Sequence, residues 1–91
     1  MSDVTLRELM LDEAATLVSH DRNEDYGDPG DNFGDIAQMW SAYKGITFTA
    51  HDVAAMMVLT KVARLKSSPG KDDNWVDIAG YAAVGYEVRP Q

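Results

Sequence analysis

Apolar residues recur three and four positions apart along four stretches of this chain, the period of an α-helix that buries one side. The first stretch runs through Leu6, Leu9, Met10, Leu17 and Val18, and Thr5-Leu6-Arg7-Glu8 at its start has the Thr-x-x-Glu spacing of a capping box. The second runs through Ile36, Met39, Trp40 and Tyr43, with Asp31 or Asn32 as its cap and Gly45 as its stop. Thr49-Ala50-His51-Asp52 repeats the capping pattern and opens the third. Val53, Met56, Met57, Val58, Leu59, Val62, Ala63 and Leu65 leave this helix almost no polar side until Lys61 and Arg64. A helix of that kind sits centrally in a bundle or at a subunit interface. The fourth, capped by Asp72 or Asp73, places Trp75, Ile78, Ala79, Ala82 and Tyr86 on one stripe. Its Gly80 and Gly85 each cost about 1 kcal/mol relative to alanine in a helix interior, so with Ala79, Ala82 and Ala83 they mark a close helix–helix approach.

Between these stretches the chain turns. Ser67-Ser68-Pro69-Gly70 forms a short hairpin between antiparallel helices, and Ile46-Thr47-Phe48 an extended link. HDRNEDYGDPGD, from His20 to Asp31, reads as a polar connector built on Gly27, Pro29 and Gly30. The pattern predicts one all-α domain over residues 1–91, a four-helix bundle with helices near 5–19, 32–44, 50–66 and 73–87. A chain this short buries a modest core, so homo-oligomerisation through the third and fourth helices is expected to complete it.

Charge and composition remove several classes of function. A net charge of −7 disfavours a nucleic-acid groove, which needs basic faces. There are no cysteines, hence no disulfide framework and no thiolate metal site, and His20 and His51 lack ligand-like spacing. No apolar run is long enough to span a membrane, and no secretory signal pattern opens the chain, so a cytoplasmic location is expected.

The candidate chemistry centres on Asp77. It lies between Val76 and Ile78, with Asp73 one turn before it and no other acid until Glu87. A carboxylate in apolar company needs a cation, a metal or a hydrogen-bond donor if it is buried. Lys61 and Arg64 share a side of the third helix. Either one of them closes an internal ion pair with Asp77, or the two hold phosphate oxygens, for which the arginine fork is well shaped. Arg22 and Tyr26 can grip a phosphate and stack on a base, or simply decorate a solvated connector. Glu8, Asp12 and Glu13 form a solvated face or lend ligands to a shared metal. Trp40 and Tyr43 serve the core or stack on a base.

Three blocks, YGDPGDNFGDIAQMWSAY, HDVAAMMVLTKVARLK and DDNWVDIAGYAAVGYE, resemble in order a family of small phage and prophage proteins classed as a domain of unknown function. The likeness covers about residues 20 to 88. That family is in turn distantly similar to the MazG-like all-α nucleotide pyrophosphohydrolases. In those enzymes acidic residues on two helices hold Mg²⁺, which neutralises phosphate charge and activates a water. The resemblance implies cleavage of a (d)NTP to NMP and pyrophosphate and matches Asp77 to the Asp of the second acidic pair. Joined to the reading of the residues above, it makes Asp77 and Asp73 catalytic, puts Asp77, Asp73 and Asp52 on Mg²⁺, and Lys61, Arg64, Arg22 and Tyr26 on the nucleotide. The chain departs from the pattern at two places. Asn74 stands where the Glu before Asp77 belongs, and the Glu-x-x-Glu pair is missing from the third helix. The alternatives are therefore a nucleotide-binding phage protein without catalysis, sequestering or regulatory, and a helical protein-interaction module.

Overall fold

A computed structural model describes residues 3–91, with Asp21 described by its backbone alone. It is all-α: α1 (Leu6–Leu17), α2 (His20–Tyr26), α3 (Pro29–Lys44), α4 (Ala50–Arg64) and α5 (Asp72–Glu87). No helix of the described residues is long and apolar enough to cross a membrane.

The local signals at the helix ends act as expected. The Thr5 hydroxyl accepts from Glu8 N at 3.2 Å. At α4 the capping box is complete: Thr49 Oγ1 accepts from Asp52 N at 3.1 Å and Asp52 Oδ2 from Thr49 N at 2.9 Å. Gly45 ends α3 at φ +71°, a left-handed position that a side chain would strain, and its N–H bonds to Ser41 O.

Three expectations change. The connector from His20 to Asp31 is not all loop, because Ser19 caps a short helix over its first half. The next helix starts at Pro29 rather than after Asp31 or Asn32: Asp28 is the cap, its Oδ2 accepting from Asp31 N at 3.0 Å, and Pro29 takes the first helical position, where a missing N–H costs nothing. Likewise neither Asp72 nor Asp73 caps α5; Lys71 holds that position without a side-chain hydrogen bond.

α5 is the central element. It packs most extensively on α4 and, on its other side, on α1, while α3 packs on α4. Being flanked on two sides changes which residues it buries. Asn74, Val76, Gly80 and Val84 go inside, whereas of the stripe read from the sequence Trp75, Ala82 and Tyr86 are exposed and Ile78 and Ala79 only half-buried. α1 is similarly thin, burying only Ala14 and leaving Leu6 and Leu9 exposed. Trp40 does serve the packing, edge-on to Phe48 at 5.7 Å, while Tyr43 is exposed.

The two helix glycines differ. A Cβ on Gly85 would lie 3.2 Å from Ala54 Cβ, so α4 and α5 touch there through backbone and methyl alone. A Cβ on Gly80 would meet only Val18 Cγ1 at 3.6 Å, an ordinary contact. Gly80→Ala is therefore expected to stabilise by about 0.5–1 kcal/mol, and Gly85→Val to destabilise by about 1–3 kcal/mol through overpacking. Urea midpoints of the two variants check both signs.

Candidate functional site

The end of α4, the turn after it and the start of α5 enclose a cavity of about 340 Å³ lined by Lys61, Arg64, Ser67, Ser68, Lys71, Asp73, Asn74 and Asp77. The sequence makes this corner basic, for no acid occurs between Val53 and Lys71 while Lys61, Arg64, Lys66 and Lys71 do. Arg64 and Lys71 are exposed and, among the described residues, form no ion pair. The turn itself is held by Lys71 N to Ser68 O at 3.3 Å and by the buried Asn74, whose Nδ2 donates to Ser68 O at 3.2 Å.

Lys61 Nζ and Asp77 Oδ2 are 2.8 Å apart, with side chains 14% and 28% exposed. Asp77 thus has its cation from the same chain. The pair is not remote from empty space, because Asp77 also lines a second cavity, of about 350 Å³. Leu17, Val18, Phe33 and Tyr81 form its apolar wall, and Arg22, Asn23, Tyr26 and Asn32 its polar rim. Phe33 and Tyr81 meet at a tilt of 39° with ring centroids 5.9 Å apart, and the Arg22 guanidinium lies 4.4 Å over the Tyr26 ring. The amide Nδ2 groups of Asn23 and Asn32 are engaged by Asp28 Oδ1 and Tyr26 O, which leaves their oxygens as acceptors.

Of the residues singled out from the sequence, Lys61, Arg64, Asp73 and Asp77 meet at the first cavity, and Arg22 and Tyr26 meet Asp77 at the second. Asp52 joins neither. It is engaged in the cap at the opposite end of α4, nine residues before Lys61 and so about 13 Å away along the axis at 1.5 Å per residue. Among the described residues no three His, Asp or Glu side chains stand close enough to share a metal ion. The set Asp77, Asp73 and Asp52 therefore does not assemble, and the residues present do not fit Mg²⁺ held by the protein alone. Asn74, which the resemblance read from the sequence puts where a metal-binding Glu is expected, is spent on the turn. Glu8, Asp12 and Glu13 line neither cavity and lie on the exposed side of α1.

Lys71, Ser67, Ser68, Phe33 and Tyr81 were not singled out from the sequence. The acid-free run ending in Lys-Ser-Ser-Pro-Gly-Lys carried a signal for the first three. Nothing local marks Phe33 and Tyr81, which come together only through packing.

Comparisons with known proteins agree with the phage likeness. The chain is 46% identical over 76 residues to the Gene 55 protein of Mycobacterium phage L5, covering 82% of this chain and 49% of that protein. It is 42% identical over 77 residues to the Gene 55 protein of Mycobacterium phage D29, covering 85% of this chain and 51% of that one. The chain thus spans about half the length of these curated relatives. No solved structure matches it significantly. A family model described as a domain of unknown function, DUF6378, matches residues 9–89, and the chain belongs to that family.

Proposed function

We propose that this protein binds a phosphorylated small molecule, a nucleotide, at the α4–α5 turn. The observation that carries the reading is the convergence of Lys61, Arg64 and Lys71 with two serines on one cavity, in a chain whose net charge is −7. Asp77 neutralises Lys61 and Asp73 also lines the cavity, so three cations against two carboxylates leave an excess of about one positive charge there, carried by Arg64 and Lys71, in an otherwise acidic protein. Arg64 supplies a planar fork for phosphate oxygens, and Lys61 and Lys71 supply point charges. The first turn of α5, which lacks a side-chain cap, leaves backbone N–H groups for an anion. The adjoining cavity has the size and apolar lining of a small-molecule site. Its Phe33–Tyr81 wall suits a base, and the Asn23 and Asn32 oxygens suit exocyclic amines. The reading needs no catalysis.

Isothermal titration calorimetry with ATP, ADP, the dNTPs and inorganic pyrophosphate tests it. Arg64→Ala and Lys71→Ala, both at exposed positions, are each expected to weaken binding about ten- to hundredfold, the loss of one charge-assisted hydrogen bond of roughly 1.5–3 kcal/mol. If none of these ligands binds up to millimolar concentration, the reading fails.

Pyrophosphohydrolase activity is the second reading. What favours it is that Asp73 and Asp77 both line the basic cavity. Release of pyrophosphate from a dNTP in the presence of Mg²⁺ distinguishes it from binding alone.

A further inference from the structure

We infer that the outward face of α4 is a contact between two copies of this chain. The molecule carries too much surface for its mass. It exposes 6759 Å², whereas a 10.0 kDa monomer is expected to expose about 5,200 Å² by the usual scaling. Its radius of gyration is 14.7 Å, against about 12 Å for a compact chain of this length. The excess is about 1,500 Å², enough for the ~800 Å² that each partner gives to a standard interface. The buried apolar residues explain the deficit, since among the described residues they are alanines and valines alone.

Exposed apolar side chains occur on α1 and α3 as well, such as Leu6 and Tyr43, but on α4 they form a continuous stripe. Ala55, Met56, Leu59, Thr60, Val62 and Ala63 are all exposed on one face of that helix. The one hydroxyl there is turned back onto the helix, Thr60 Oγ1 to Met56 O at 2.9 Å, so no polar group on this face lacks a partner when covered. Alongside runs a groove of about 560 Å³ between α4 and α5, floored by Ala54, Ala82 and Gly85, where small side chains leave room for a partner's Met56 or Leu59.

Charge selects the occupant. Two molecules of net charge −7 repel, and each of the other helices presents exposed carboxylates, such as Glu8 and Asp12 on α1, Glu24 and Asp25 on α2, Asp31 and Asp35 on α3, and Asp72 and Asp73 on α5. The α4 face has none between Ala55 and Ala63; the half-buried Asp52 at its N-terminal end is engaged in the helix cap. A two-fold contact must be complementary to itself, which an uncharged apolar stripe is and a single-sign charged one is not. Lys61 lies about 200° and Arg64 about 140° round the helix from Leu59 at 100° per residue, so a contact centred on Leu59 leaves the basic cavity open at its edge and does not depend on the nucleotide reading.

Sedimentation equilibrium and light scattering of the chain from about 1 µM to 1 mM test the inference. The parent protein is expected to be dimeric in the upper part of that range. Leu59→Lys is expected to be monomeric throughout with unchanged helical circular dichroism, and Leu11→Lys, at an exposed apolar residue of α1, to dimerise like the parent. Ala63→Glu, on the same face, gives a second reading should Leu59→Lys lose helicity. A parent protein monomeric at 1 mM overturns the inference, as does association of the folded α4 variants at the parent's strength.

Discussion

Replacing Lys61 by methionine is expected to reduce nucleotide affinity about a hundredfold, because one charge-assisted contact is lost and Asp77 then faces the phosphates unneutralised. Methionine keeps the unbranched stem, so packing around this largely buried side chain is retained. Stability is expected to fall by only about 1–2 kcal/mol, between the cost of breaking an exposed pair and a fully buried one, because the Asp77 side chain keeps partial access to water. Asp77→Asn separates the roles. It leaves Lys61 in the cavity and removes the repelling charge, so affinity is expected to hold or rise. Calorimetric titration of both variants with the same nucleotide decides between them. Equal losses in the two variants would mean that Asp77 itself touches the ligand. Unchanged binding in both would reduce the pair to a strut between α4 and α5, and the site would have to lie elsewhere.

Asn74→Asp is expected to cost about 3 kcal/mol at neutral pH, since a buried donor becomes a charged acceptor facing another acceptor, the Ser68 carbonyl. For a domain of this size that corresponds to a fall in Tm of roughly 12 °C or more. The effect has a pH signature. Burial without a cation raises the carboxyl pKa in the folded state, so the neutral form is favoured and its O–H can donate to Ser68 O. The penalty is therefore smallest below the unfolded value of about 3.9 and grows as pH rises through the folded one. Thermal unfolding of variant and parent at pH 4 and pH 7 gives the comparison. The result bears on function as well. The pyrophosphohydrolase reading would call for a further metal-binding carboxylate here, and equal stability of variant and parent at pH 7 would mean that this corner accepts a third carboxylate beside Lys71 and Arg64.

Asp77 shows how far a sequence reading reaches at such a site. Its isolation among apolar residues is visible in a line of text, as is the need for a cation, and Lys61 and Arg64 are visible as candidates. Which of them pairs with it depends on the rotation and offset of α4 against α5, whose close approach is at Gly85 and Ala54. The same offset removes Asp52 from the acidic set and brings Lys71 and the two serines in. Asp28-Pro29 is a different case. An N-cap residue followed by proline is a local start signal for α3, and the stronger turn chemistry of the surrounding glycines obscured it.

What the sequence determined by itself is the all-helical class, the caps at Thr5, Thr49 and Gly45, and the presence of an acid-free basic run at the end of α4. Each rests on bonds or charges within about four residues of one another, which a chain carries whatever surrounds it. The tertiary structure alone decided which side of α5 is buried, which cation neutralises Asp77, and that Phe33 and Tyr81 wall a cavity beside the basic one. Those outcomes depend on two helices flanking α5 at once, and helical periodicity specifies that a side is apolar without specifying what will cover it.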